Sequence, residues 1–194
     1  MGGGVPKVLI LGHSFVKRLY FDLSRDRLPP LNLELDLRDT AEIYFHGIGG
    51  RTVAKLRQFD LRTVRRLRPN VVLLEIGTND LCQDVHPTTV GSDIEDLVQQ
   101  LITEFGVSVV CVCHVIPRSS QNRDCNAFAA KARSLCQYLD VVIEPIQSSF
   151  CWRHTLFTNP YKDLYCDSVH LNARGQKALY RSYRGAILKA LKLL

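Results

Sequence analysis

The chain has 194 residues, 46% hydrophobic and 23% charged, with a formal net charge of +6. That length suits one domain with its own core, and the composition excludes a disordered, collagen-like or coiled-coil chain. No apolar run approaches the roughly 20 residues that a bilayer span needs.

Met1-Gly2-Gly3-Gly4 lacks the cationic start and the cleavage site of a signal peptide, so residues 1–4 read as an appended or disordered tail. Val8-Leu9-Ile10-Leu11 is a buried-strand run that ends at Gly12, and a helical pattern follows from about Phe15 to Leu23. Glu42 to His46 is a second strand, ending at Gly47, with a helical stretch from Thr52 that Pro69 stops. Val71 to Ile76 is a third strand ending at Gly77, followed by a polar loop and a helix from Ile94 to Phe105. Val107 to Val112 is a fourth strand. A helix over Asn126–Tyr138 leads into Val141-Val142-Ile143 as a fifth, and the last helix runs from Ala173 to the end. Continuous apolar runs suit strands buried on both faces, so the expected fold is α/β, one doubly wound parallel sheet over residues 1–194. The connections look short, which predicts neither a large lid nor a deep acyl pocket.

Seven cysteines, Cys82, Cys111, Cys113, Cys125, Cys136, Cys151 and Cys166, are an odd number without framework or zinc spacing. They read as buried reduced thiols of a cytoplasmic protein, with no metal.

The positive charge is segregated. Residues 51–68 carry seven basic side chains against Asp60, and residues 171–194 carry six with no acid; the other 12 basic and 18 acidic residues sum to −6. At about 100° per residue, Arg174, Lys177, Arg181, Arg184, Lys189 and Lys192 share one arc of about 140° on the last helix. Leu179, Tyr183, Ala186, Ile187, Ala190, Leu193 and Leu194 lie opposite and should pack on the sheet. The stripe reads as a solvated face or as a weak contact for nucleic acid or an anionic membrane through Lys177, Arg181, Arg184 and Lys192. With strand order 2-1-3-4-5, the two basic segments fall on opposite faces.

Ligands bind beyond the carboxyl ends of such strands. Ser14 opens the first helix after Gly12, where it could meet an anion or merely cap the helix. His170, three residues after Asp167, can form an orienting pair that leaves one ring nitrogen as base. Gly50 and Asn79 offer a backbone N–H and a side-chain amide to an oxyanion, although each also suits a turn or a cap.

Together Gly12-His13-Ser14, Gly47-Ile48-Gly49-Gly50, Gly77-Thr78-Asn79-Asp80 and Asp167-Ser168-Val169-His170 resemble the four signature blocks of the SGNH (GDSL-type) hydrolase superfamily, over about residues 7–185. The resemblance implies a flavodoxin-like three-layer sandwich with a five-stranded parallel sheet, and hydrolysis of short-chain (acetyl-type) esters without a cofactor. It implies Ser14 as nucleophile, His170 as base, Asp167 as its partner, and Ser14, Gly50 and Asn79 as the oxyanion hole. His13 stands where the family usually has Asp, and reads as a rim or structural histidine rather than a catalytic one. The wording Leu11-Gly12-His13-Ser14-Phe15-Val16-Lys17-Arg18-Leu19, with Val169-His170-Leu171-Asn172-Ala173-Arg174-Gly175, also resembles the esterase domain of LINE-type retrotransposon first-open-reading-frame proteins. That similarity implies an RNA-associated setting. The contrasting reading is a binding module on an esterase framework.

Overall fold

The computed structural model describes residues 4–83, 85–119, 125–157 and 162–194. Of the expected tail, Met1 to Gly3 lie outside the described residues. Five parallel strands, β1 (Lys7–Gly12), β2 (Glu42–Gly47), β3 (Val71–Glu75), β4 (Val109–Cys113) and β5 (Ser149–Trp152), form one sheet in the order β2-β1-β3-β4-β5. Among the described residues five α-helices lie between the strands, α1 (Ser14–Ser24), α2 (Val53–Phe59), α3 (Leu61–Leu67), α4 (Pro87–Thr103) and α5 (Cys125–Ile143), and α6 (Ala173–Leu191) follows β5.

Side chains that alternate along each strand divide the core into two. Val8, Ile10, Val71, Leu73 and Cys111 meet α1 and α6, while Leu9, Leu11, Val72, Leu74 and Val112 meet α2 to α5. The result is the expected three-layer α/β fold, with α6 and the 51–68 segment on opposite faces.

Three local expectations are corrected. Val141-Val142-Ile143 is the end of α5, not a strand. Phe128, Ala132, Leu135, Leu139 and Ile143 are buried at helical spacing, whereas Val141 is 70% exposed. The fifth strand is the less apolar Ser149-Phe150-Cys151-Trp152, which sits at the sheet edge. The stretch from Thr52 is two helices, because Asp60 ends α2 and begins α3 while its carboxylate is committed elsewhere. The connections are not uniformly short. Residues 25–41, between α1 and β2, bury Leu28, Leu35 and Leu37. Tyr180 of α6 donates to Asp36 at 3.0 Å and Arg184 to the Leu35 carbonyl at 3.1 Å, pinning this segment over the helix.

β1 lies tightly against β3 where it leads into α1. A Cβ on Gly12 would lie 2.1 Å from the Glu75 carbonyl oxygen, so only glycine fits. Gly12→Ala is therefore expected to lower stability by at least about 1–3 kcal/mol. Gly49→Ala, whose Cβ would meet nothing within 4 Å, should leave stability nearly unchanged. Urea midpoints measure both, and equal midpoints for the two variants would contradict the close approach.

Candidate active site

Ser14 is the first residue of α1, directly beyond β1, and is half-buried. The helix cap is not Ser14 but His13, whose Nδ1 accepts the Phe15 N–H at 3.4 Å. His13 is 1% exposed, which makes it a buried structural residue rather than a rim residue.

A pairing between Tyr165 and Leu171 pinches off the loop that holds Asp167 and His170. Cys166 N–H donates to the His170 carbonyl at 2.9 Å. One Asp167 oxygen accepts the N–H groups of Val169 at 2.7 Å and His170 at 2.6 Å, and the other meets His170 Nδ1 at 2.8 Å. Partial burial pushes the Asp167 carboxyl up. The N–H groups of His170 and Val169 and the His170 ring outweigh it and bring it down to about 2. Tyr165 anchors the base of the loop by donating to the Pro117 carbonyl, and Ser119 N–H donates to the Ser168 carbonyl within it.

On the other side, the loops after β2 and β3 are cross-linked. Asn79 Nδ2 donates to the Arg51 carbonyl at 2.8 Å, and Asp80 accepts the Val53 N–H at 3.0 Å. Gly50 has φ of +70°, a conformation that favours glycine. Arg51 donates to both oxygens of Asp60, at 2.7 and 3.1 Å, and His46 meets the same carboxylate at 3.0 Å. Arg51 is thereby removed from the basic surface expected over 51–68. Sequence reasoning missed Asp60 as this anchor, because a lone acid among seven cations reads as ordinary surface.

It also missed the ionisable cluster beneath His13. Glu75 has no exposed surface; its Oε2 meets His154 Nε2 at 3.0 Å and accepts from Tyr183 at 3.1 Å. Burial alone would push its carboxyl up, but His154, His13 and Tyr183 outweigh it and hold it below the ordinary value. His154 Nδ1 meets Ser182 Oγ at 2.8 Å, which also accepts from Trp152 at 3.0 Å.

Two groups among the described residues have metal-ligating atoms within 4.8 Å of one another: Glu75, Cys113 and His154, and His114, Asp140 and Cys151. Neither is suited to a cation. Two hydrogen bonds already converge on Glu75 Oε2, and the Arg153 guanidinium stands 3.5 Å from Asp140. Burial pushes the thiols of Cys136 and Cys151 up to about 11 and about 12, as expected for inert cysteines. Cys82 and Cys166, however, are exposed rather than buried.

The basic stripe on α6 is only partly as expected. Lys177, Arg181 and Lys192 are exposed, but Arg184 is half-buried through its bond to Leu35, and Lys189 lies over the Phe150 ring at 4.3 Å. Leu193 and Leu194 are exposed instead of packed. Lys177 and Arg181 border a cavity of about 510 Å³. Another, of about 500 Å³, opens beyond β4 and β5 beside His114, Arg118, Asp140 and Arg153, and Ser14 lines neither.

The five-stranded parallel α/β fold thus carries Ser14 directly after β1 and an Asp-paired His170 just before α6. Residues 11–178 match the sequence profile of the GDSL-like Lipase/Acylhydrolase family. The chain belongs to that family, and its chemistry is carboxylic ester hydrolysis. Solved structures share its fold at low identity. A GDSL-like lipase from Bacteroides thetaiotaomicron is 16% identical with a TM-score of 0.73, over 95% of this chain and 89% of that one. A carbohydrate esterase family 3 protein from Talaromyces cellulolyticus is 14% identical with a TM-score of 0.72, over 98% and 100%. A catalytic mutant of an acetylxylan esterase from Geobacillus stearothermophilus is 18% identical with a TM-score of 0.67, over 96% and 95%. No curated protein matches the chain by sequence.

Burial lowers the proton affinity of His13, with Glu75 offsetting this only in part. It does the same at His114, where Asp140 is the partial offset. As pH falls through the unfolded value of 6.5, the unfolded chain therefore takes up protons that these two sites refuse. Their stability contribution is present above that value and lost below it. The urea midpoint is expected to fall between about pH 7 and pH 5, and His114→Asn should shrink the fall. A midpoint independent of pH in this window would contradict the burial of both rings as neutral groups.

Proposed function

We propose that the chain hydrolyses short-chain, acetyl-type esters with Ser14 as nucleophile, His170 as general base and Asp167 as the group that orients it. Ser14 Oγ attacks the ester carbonyl while His170 Nε2 takes its proton, then returns it to the leaving alcohol. Water, deprotonated by the same nitrogen, cleaves the acyl-enzyme and restores Ser14. The tetrahedral oxyanion is held by the N–H groups of Ser14 and Gly50 and the side-chain amide of Asn79. One Asn79 N–H is committed to Arg51, which aims the other.

The observation that carries this reading is the Asp167–His170 pair at 2.8 Å, its carboxylate fixed by two backbone N–H bonds and His170 Nδ1 thereby occupied. The acetyl preference draws on fold neighbours named as an acetyl esterase and an acetylxylan esterase, the latter with a serine and an aspartate variant each described as a catalytic mutant. No cofactor enters these steps. The finer resemblance to a retrotransposon-encoded esterase domain rests on the wording around Ser14 and His170 alone. A second reading, salt-dependent contact of Lys177, Arg181 and Lys192 with nucleic acid or anionic membrane, rests on their exposure.

Ser14→Ala and His170→Ala should abolish hydrolysis of a chromogenic acetyl ester while melting as the wild type does. Asn79→Ala should lose about 100- to 1000-fold in turnover, one oxyanion donor's worth. Activity should rise with pH through one ionisation, that of His170, because Asp167 at about 2 is already charged across the working range. A fully active Ser14→Ala protein, or a flat pH profile, would contradict the mechanism.

A further inference from the structure

We propose that Glu75 is a positioning residue for this hydrolase. Through His13 it holds the Ser14 loop in register with the segments that frame the rim. The proposal rests on the reading of Ser14 as nucleophile. Glu75 touches no solvent and sits beneath the rim, so its effect must act through another residue.

Its main chain and side chain grip the same neighbour. The Glu75 carbonyl accepts the His13 N–H at 3.3 Å, and its Oε1 faces His13 Nε2 at 3.8 Å. Because His13 Nδ1 accepts from Phe15, the ring proton belongs on Nε2, the atom that faces the carboxylate. Among the described residues, neither Oε1 nor Nε2 has a hydrogen-bond partner, and both are buried. Both atoms are sealed from water, and the 3.8 Å between them is a gap that a small inward shift of the ring closes into a hydrogen bond. Oε2 is held at the same time by His154, which follows β5, and by Tyr183 of α6, the helix that starts just after His170. Glu75 also directly precedes the Ile76–Asn79 loop that carries the proposed oxyanion donor. One carboxylate thus joins the Ser14 loop, the Asn79 loop and the helix behind His170.

The experiment uses the full chain, with His13→Asn, Glu75→Gln and the double variant. It compares kcat and KM for a short-chain ester with the rate of labelling by a fluorophosphonate. In that step Ser14 Oγ bonds to phosphorus, the P–F bond breaks, fluoride departs and the serine proton passes to His170. Each single variant is expected to lose about 10- to 100-fold in both kcat and labelling rate, with KM within about twofold, as misplacement of a reacting group produces. The double variant should lose little more than the worse single one, because both remove one contact. If Glu75→Gln does not fold, His13→Asn, which leaves the carboxylate and its other two bonds in place, carries the test. A folded His13→Asn chain that labels at the wild-type rate overturns the proposal, as do losses that multiply in the double variant. A wild-type chain that neither hydrolyses nor labels overturns the Ser14 reading itself.

Discussion

A carboxylate sealed from water is tolerable only when its surroundings supply what water would have given, and the centre of this sheet is arranged around that demand at Glu75. Imidazole and phenol groups from His154 and Tyr183 meet one oxygen, and His13 faces the other. These groups come from three places in the chain: the end of β1, the segment after β5 and the middle of α6. Satisfying one charge therefore ties together segments far apart in the chain. The absence of a side chain at Gly12 belongs to the same arrangement, since it lets β1 pass against the Glu75 carbonyl.

Around that centre short polar links fix the rim loops, in addition to the apolar packing of Ile76, Leu81 and Leu171. Arg51 with Asp60, Asn79 with Arg51, Asp80 with Val53, and Asp167 with two N–H groups each convert a flexible connection into a determined one. Preorganised donors and a pre-aimed imidazole are what acyl transfer requires, because charge that develops in the transition state is best met by dipoles already in place. His13 in the position usually held by Asp fits the same scheme. It is turned inward toward Glu75 and caps α1 through its other nitrogen.

The layered fold was legible because buried parallel strands leave continuous apolar runs, and Val8–Leu11, Val71–Ile76 and Val107–Val112 have few other uses. The fifth strand was not, since an edge strand carries a weaker apolar signal and the Val141-Val142-Ile143 run is equally good as the last turn of α5. Asp167, His170 and Ser14 stood out as candidates because the serine follows β1, the Asp–His pair directly precedes α6, and their four sequence blocks together resemble one hydrolase superfamily. Glu75, Asp60 and His154 were not, because each is polar in a stretch that reads as strand or surface, and its partners lie 9 to 108 positions away in sequence. The α6 stripe shows the limit of helical arithmetic. The angles were sound, but only the segment folded over α6 reveals that Arg184 is drawn down to Leu35.

The most direct test of the account is a crystal structure of the chain after reaction with an organophosphonate ester. A single adduct is expected on Ser14 Oγ, with the phosphonyl oxygen about 2.7–3.1 Å from the N–H groups of Ser14 and Gly50 and from the Asn79 amide. His13 Nε2 is expected within hydrogen-bond distance of Glu75 Oε1 in the same structure. An adduct on another residue, or a phosphonyl oxygen turned away from those three donors, would contradict it.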